Sequence, residues 1–358
     1  MKILYVHFYA TKFNLGGADR GVFDLARSMQ EDHHEKVHCL INAGLLADKL
    51  KCAKIDYTLL PAQKWHVFST LRLMKKVIDE FKPDVIHSHH RYATFLLDSF
   101  FKEKAFLLHT QRVTQRDKIF LFRYGHYATA VSEGVRRNLI ENFKVPPELV
   151  RTIPNAVWLR PLESDRLEAV KNKYPKIPGT VLALCNARLD EQKGHAYLVD
   201  AVCLLPAELK KNICILLAGD GPLRGDLEKR IRDKGIEKNF VFLGHSEEIP
   251  ELLTWCDFSV LPSLWEGLPR TVIESFLMGR PVIATDIPGV QEVLRDGQNG
   301  LRVPARNAEA LAQALQRCIQ SPEEMRRMKA AALEDAARFS FLEMTSAYQA
   351  LYREKTCS

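Results

Sequence analysis

Long apolar runs are missing from this 358-residue chain. None approaches the ~18 residues that a membrane-spanning helix requires, so a helical membrane protein is excluded. Paired cysteines are missing too. The eight cysteines lie scattered at 39, 52, 185, 203, 214, 256, 318 and 357, with no Cys-x-x-Cys. Most fall in apolar patterns, which points to reduced core thiols and a cytoplasmic setting instead of a disulfide framework. There is no Gly-x4-Gly-Lys-Ser/Thr, so no P-loop. Repeats and low-complexity segments are also absent, and the opening MKILYVHFYA lacks the features of a signal peptide and reads as a strand.

What is present is ordinary globular composition, 46% hydrophobic and 27% charged. At ~150 residues per domain the length predicts two domains. Short apolar runs alternate with helical patterns: KILYVHF, KVHCLI, IDYTLL, DVIHS, AFLLH and YATAV, then TVLALCN, ICILLAG, FVFLG, FSVLP and PVIAT. Such alternation predicts two parallel sheets covered by helices. PNAVWLRP interrupts the pattern, which places the lobes at residues 1–158 and 159–340. Phe341, Met344, Ala347, Tyr348 and Leu351 recur at helical spacing, so residues 341–358 form a tail helix that joins the first lobe. Charge is uneven: residues 1–160 hold 25 basic and 16 acidic residues, a balance of +9, and the remainder 26 and 28, a balance of −2. The basic half could face anionic lipid, a phosphorylated molecule or nucleic acid.

The strongest motif is SLWEGLPRTVIESFLMGRPVIAT. Glu266 precedes a loop of Gly267, Leu268 and Pro269, and Glu274 lies about one turn into the following helix. That helix would start at the carboxyl edge of a parallel sheet, where its free N–H groups suit phosphate and Glu274 suits neutral hydroxyls. In NARLDEQKG, Arg188 and Lys193 form a cation pair matched to a diphosphate. Gly16 and Gly17 follow the first strand and allow close backbone approach. Gly219-Asp220-Gly221 with Gly225 misses the dinucleotide fingerprint by one place, leaving Gly219 and Gly221 as loop candidates. His109 and the pair His87 and His89 end strands and would point at the edge of the first sheet, either positioning a hydroxyl or serving as satisfied structural histidines. HEKVH at 34–38 matches a zinc motif literally, but it straddles a loop and a strand, so its histidines do not share a helix face.

GGADRGVFDLA, PDVIHSHH, LLHTQ, AVSEGVRRNL, IPNAV, RLDEQKG, LLAGDGPL, FLGH, LPSLWEGLPRTVIES and GRPVIATDIPGVQEVLRDGQNGLRVP, in that order, resemble glycosyltransferase family 4. The resemblance implies the GT-B fold: two Rossmann-like, doubly wound lobes facing a cleft, with a C-terminal helix crossing back. The first lobe would bind acceptor and the second nucleotide sugar. It implies retaining transfer of a sugar, a UDP-sugar favoured, with no metal or other cofactor, and no Asp-x-Asp occurs in the chain. By position, Arg188 and Lys193 would hold the donor diphosphate, Glu274 the ribose and Glu266 the transferred sugar. Gly16, Gly17, Gly219, Gly221, Gly267, Leu268 and Pro269 would line the donor site. His109 would sit beside the reacting carbon, and His87 and His89 on the acceptor side. The family's Pro-Asn-Gly-Val is Pro154-Asn155-Ala156-Val157 here, so a turn built on a positive-φ glycine is expected to differ.

KWHVFSTLRLMKKVIDEF combines an apolar stripe (Trp65, Val67, Phe68, Leu71, Met74, Ile78) with Lys64, Arg72, Lys75 and Lys76. It reads either as a surface helix touching the cytoplasmic membrane face or as a helix packed on the sheet. The acceptor expected with it is a glycan or lipid-linked glycan of lipopolysaccharide or other cell-surface polysaccharide. The rival functions are a catalytically silent GT-B partner subunit, a basic membrane- or nucleic-acid-binding module, and another GT-B enzyme such as an epimerase or phosphorylase. The donor motifs have no purpose in a nucleic-acid binder.

Overall fold

The computed structural model describes residues 1–8, 16–61, 66–114 and 122–357. It divides into two units, Met1–Ala156 with Phe341–Ser358, and Val157–Ser340. The first holds a seven-stranded sheet of β1 (Lys2–His7), β2 (Lys36–Asn42), β3 (Asp56–Leu60), β4 (Val85–Ser88), β5 (Phe106–Gln111), β6 (Tyr127–Ala130) and β7 (Val150–Thr152). Its order is β3-β2-β1-β4-β5-β6-β7, all parallel. The second holds β8 (Val181–Asn186), β9 (Ile213–Ala218), β10 (Phe240–Gly244), β11 (Phe258–Leu261), β12 (Val282–Thr285) and β13 (Gly300–Val303). Its order is β10-β9-β8-β11-β12-β13, again all parallel. The central strands are mainly apolar and buried along most of their length because helices cover both faces. Each order reverses once, between β1 and β4 and between β8 and β11. Open α/β sheets take their ligands at the carboxyl ends of such strand pairs.

The tail helix, Phe341–Thr356, packs on the first unit, where Tyr348, Leu351 and Tyr352 join Tyr5 of β1 and Leu25 and Met29 of the helix Gly17–Glu31 in one apolar cluster. Glu35 anchors it further, accepting from Gln349 Nε2 at 3.0 Å and from the chain's amino terminus at 2.5 Å. Thus the acid of the literal zinc motif ties the tail helix to the amino terminus that leads into β1, while His34 lies in a left-handed turn and His38 within β2.

The helix Val67–Phe81 turns Met74, Val77 and Ile78 into the core beneath the sheet, with Leu71 beside them. Its stripe is therefore a packing stripe, and Phe68 alone among the described stripe residues stands out, 90% exposed. Lys64 and Trp65 lie outside the described residues. The outward cations Lys75 and Lys76 pair with Asp79 and Glu80 of the same helix. Ala156 is not among the residues at positive φ, so the turn closes without a left-handed residue, and the Ala156 N–H donates to Met344 Sδ of the tail helix at 3.3 Å. The eight cysteines are all free.

Candidate active site

In the second unit the loop after β8 and the loop after β11 meet at the reversal of strand order. Asn186, the last residue of β8, donates from Nδ2 to Glu274 Oε2 at 3.0 Å. Glu274 is buried in the helix Arg270–Leu277, which begins after Pro269. Downstream of Asn186 the chain makes a single 3-10 turn, Glu191–Lys193, capped by Asp190, whose Oδ1 accepts from the Lys193 N–H at 3.2 Å. The other oxygen of Asp190 pairs with the half-exposed Arg188 guanidinium. Lys193 Nζ reaches Glu266 Oε1 at 2.6 Å, and Glu266 is nearly closed off from solvent. Gln192 fastens the loops from its own side: its carbonyl accepts from Leu264 N at 2.7 Å, and its Nε2 donates to the Trp265 carbonyl at 2.8 Å.

Gly194 makes this approach possible. It sits at φ 64°, and a Cβ there would lie 2.1 Å from the Pro262 carbonyl oxygen. Gly219 and Gly221 do the same for the turn after β9, where a Cβ would meet the carbonyl oxygens of Ala187 and Leu189 at 2.1 and 2.4 Å. Both glycines thus shape the loop that carries Arg188 by backbone contact. Gly267, Leu268 and Pro269 are buried in the loop that leads into the Glu274 helix. Arg188, Lys193, Glu266 and Glu274 therefore converge from sequence positions up to 86 apart. Glu266 and Asp190 are each paired with a cation, Lys193 and Arg188, and Glu274 accepts from the neutral Asn186 amide.

Sequence reasoning missed Asn186, Asp190 and Gln192, which hold the four residues in place. For Asp190 a signal existed: an Asp three residues before Lys193 has N-cap spacing. It also missed His195, the first residue of the helix His195–Leu204. This ring is 1% exposed, has no hydrogen-bond partner at either nitrogen among the described residues, and is pushed down to about 4 by burial.

In the first unit Gly16 caps the helix Gly17–Glu31 at an ordinary φ of −68°, and its N–H donates to Asp19 Oδ2 at 2.8 Å, while Gly17 opens the helix and is exposed. His109 in β5 is buried. Its Nδ1 lies 2.8 Å from Thr94 Oγ1 and its Nε2 3.0 Å from Gln111 Oε1. The Gln111 amide donates to the Val113 carbonyl at 2.7 Å, which turns its oxygen toward His109, so His109 Nε2 carries the proton. Burial pushes this ring down to about 4, and it stays neutral near pH 7.

His87 is fully buried with both nitrogens engaged, Nδ1 with Tyr352 Oη at 2.7 Å and Nε2 with Thr110 Oγ1 at 2.6 Å. Tyr352 Oη also meets Tyr5 Oη at 3.2 Å. His87 thus has both ring nitrogens satisfied within the first unit. It faces the tail helix because residues 87 and 89 share one side of the strand and that side is covered. His89 is buried as well, and its Nδ1 accepts from Arg112 Nη2 at 3.1 Å.

Two family models match the chain in tandem: Glycosyltransferase Family 4 over residues 15–159 and Glycosyl transferases group 1 over residues 168–335. An alpha-D-kanosaminyltransferase of Streptomyces kanamyceticus is 33% identical over 177 residues, 48% of this chain and 45% of that one. A lipopolysaccharide core biosynthesis glycosyltransferase of Rhizobium meliloti is 31% identical over 193 residues, 49% of this chain and 55% of that one. The chain spans about half the length of these curated relatives. The crystal structure of HepE from Anabaena in complex with UDP-glucose superposes over 99% of this chain and 100% of that one, with a TM-score of 0.85 at 20% identity. With one model covering most of each unit and this arrangement of two parallel sheets, the chain belongs to glycosyltransferase family 4 and has the GT-B fold.

Proposed function

We propose that this chain is a retaining, metal-independent glycosyltransferase. It moves a sugar from a nucleoside-diphosphate sugar, a UDP-sugar by preference, to a hydroxyl of a glycan or lipid-linked glycan. The observation that carries the reading is the joining of the β8 and β11 loops through Lys193–Glu266 and Asn186–Glu274. It gathers two cations and two hydroxyl-binding carboxylates at the edge where α/β sheets bind ligands. Arg188 and Lys193 take the diphosphate and offset the charge of the departing phosphate, which needs no general acid. Glu274 binds the ribose and Glu266 the hydroxyls of the transferred sugar. His109, Gly16 and Gly17 keep the roles that the family resemblance implies.

In the transfer step the bond between the anomeric carbon and the phosphate oxygen breaks. The acceptor hydroxyl oxygen bonds to that carbon on the same face, and its proton passes to the leaving phosphate. No protein nucleophile takes part. The UDP-glucose carried by HepE supports uridine as the base, and the Rhizobium meliloti relative supports an acceptor in lipopolysaccharide assembly. We assign the reaction to the cytoplasmic side.

The test is thermal unfolding with UDP, GDP, ADP and CMP and their common sugar conjugates. A ligand at ~100 times its Kd adds about 2.7 kcal/mol to stability. One base family should raise Tm, and Arg188→Ala should abolish the rise. With a turnover assay in hand, Arg188→Ala and Lys193→Ala should each lower kcat by about 10²–10³ in a chain that remains folded by circular dichroism. Unchanged turnover in both variants refutes the diphosphate assignment.

A further inference from the structure

A second reversal of strand order lies in the first unit, between β1 and β4, and two histidines occupy it. His7 ends β1 and His89 follows β4. The ladder continues to this level, since Val6 pairs with Ser88 and the His89 N–H donates to the Val6 carbonyl at 3.0 Å. The rings lie on the side of the sheet that carries Tyr5 and His87: the His89 ring centroid is 5.8 Å from that of Tyr5 and 4.0 Å from that of His87. Both histidines are buried, His7 at 4% and His89 at 5% exposure.

Their neighbours dictate the tautomers. His7 Nε2 lies 2.8 Å from Asp19 Oδ1. A carboxylate only accepts, so Nε2 carries a proton, and in a ring with a single N–H proton Nδ1 is then a lone pair. Asp19 is itself held, since Oδ2 accepts from the Gly16 N–H. His89 Nδ1 faces Arg112 Nη2, and a guanidinium only donates, so Nδ1 is the acceptor and Nε2 carries the proton. Arg112 is steered in turn by Asn155 Oδ1 at 3.3 Å. Burial, with His87 and Arg112 close by, keeps the His89 ring neutral. One acceptor, His7 Nδ1, and one donor, His89 Nε2, then stand at neighbouring register positions. Neither has a hydrogen-bond partner among the described residues. Buried polar atoms left unpaired are destabilising, so they call for a partner.

We infer that His7 and His89 form a binding site for one hydroxyl oxygen, which donates its hydrogen to His7 Nδ1 and accepts the His89 Nε2–H. A carboxylate brings no hydrogen for His7, and an ammonium no lone pair for His89. The oxygen comes from one of two sources, a resident water or a sugar hydroxyl. The sugar source rests on the transferase reading above, while the site itself does not.

The experiment uses the full chain labelled with ¹⁵N-histidine, its ring resonances assigned with His7→Phe and His89→Phe. Circular dichroism and Tm verify that each variant is folded. Spectra are recorded alone, with UDP, and with UDP plus methyl α-D-glucopyranoside, methyl α-D-galactopyranoside or their 2-acetamido analogues. The expected state is a neutral His7 whose Nδ1 resonates as a hydrogen-bonded lone pair, with a His89 Nε2–H signal that moves in His7→Phe. A saturable change at both nitrogens with a glycoside identifies a sugar hydroxyl. Hydrogen-bonded nitrogens that no glycoside moves, with exchange cross-peaks to solvent, identify water. A charged His7 ring, an Nδ1 at its free lone-pair position under every condition, or a His89 signal indifferent to His7→Phe overturns the inference. Nucleotide binding is read separately by thermal shift, so failure of the donor assignment does not mimic any of these results.

Discussion

Single side chains in this protein are governed by what buries them. His109 has a folded-state value of about 4, against about 6.5 for a free imidazole, because burial disfavours its charged form. His87 and His89 are held well below the free value in the same direction, chiefly by burial. The unfolded chain therefore binds protons below pH ~6.5 that the folded chain refuses, and stability that is present above that pH falls as pH drops toward 4. Each such histidine contributes a slope of up to about 1.4 kcal/mol per pH unit across that window. Urea midpoints should fall between pH 7.5 and 5, and His109→Gln should flatten the fall. A pH-independent midpoint would show that these rings are protonated in the folded state. Tyr352→Phe tests the same cluster at neutral pH. It removes the hydroxyl that links His87 and Tyr5 and leaves His87 Nδ1 unpartnered, for an expected loss of about 1–3 kcal/mol in a denaturation experiment.

At the scale of elements, the site depends on how tightly one loop sits on another. Gly194→Ala places a Cβ against the Pro262 carbonyl and forces a left-handed alanine. The strain of the left-handed residue is about 1 kcal/mol and the steric cost about 1–3 kcal/mol. Since the same turn carries Lys193 and the Gln192 bonds to the β11 loop, the variant should also lose the nucleotide-induced Tm rise. A folded Gly194→Ala that responds normally to nucleotide would mean that the two loops need not touch. Asp190→Asn is the milder probe. The amide keeps an oxygen for the Lys193 N–H but gives up its charge on Arg188, so the Kd for nucleotide should change while Tm without nucleotide stays within about 1 kcal/mol of the parent.

At the scale of the whole molecule, the second unit is one continuous segment, whereas the first is closed by a helix from the far end of the chain. Residues 157–340 expressed alone are expected to unfold cooperatively, and residues 1–156 alone to lack a cooperative transition, because Tyr5, Leu25 and Met29 lose the cover of Tyr348, Leu351 and Tyr352. Calorimetry of the two fragments decides this, and a sharp transition in the shorter one would contradict it. Both parallel sheets were legible in the sequence because strands covered on both faces must be apolar throughout, and the tail helix was legible because its stripe keeps helical spacing. The cluster of Arg188, Lys193, Glu266 and Glu274 was legible as a set of residue types but not as a set of contacts. Lys193 and Glu266 are 73 residues apart, and their meeting depends on a glycine and a glutamine whose partners are backbone carbonyls. His87 was ambiguous for a related reason: a strand-end histidine reads the same whether it faces substrate or is covered by a helix that folds back from residue 341.

That returning helix also sets an order of assembly during synthesis. The ribosome delivers β1 more than 330 residues before the segment that seals it. At 5–20 residues per second this leaves on the order of half a minute in which the second unit can fold while the first still exposes an apolar face. Chaperone dependence of the nascent chain should therefore end only when residues 341–356 have cleared the exit tunnel.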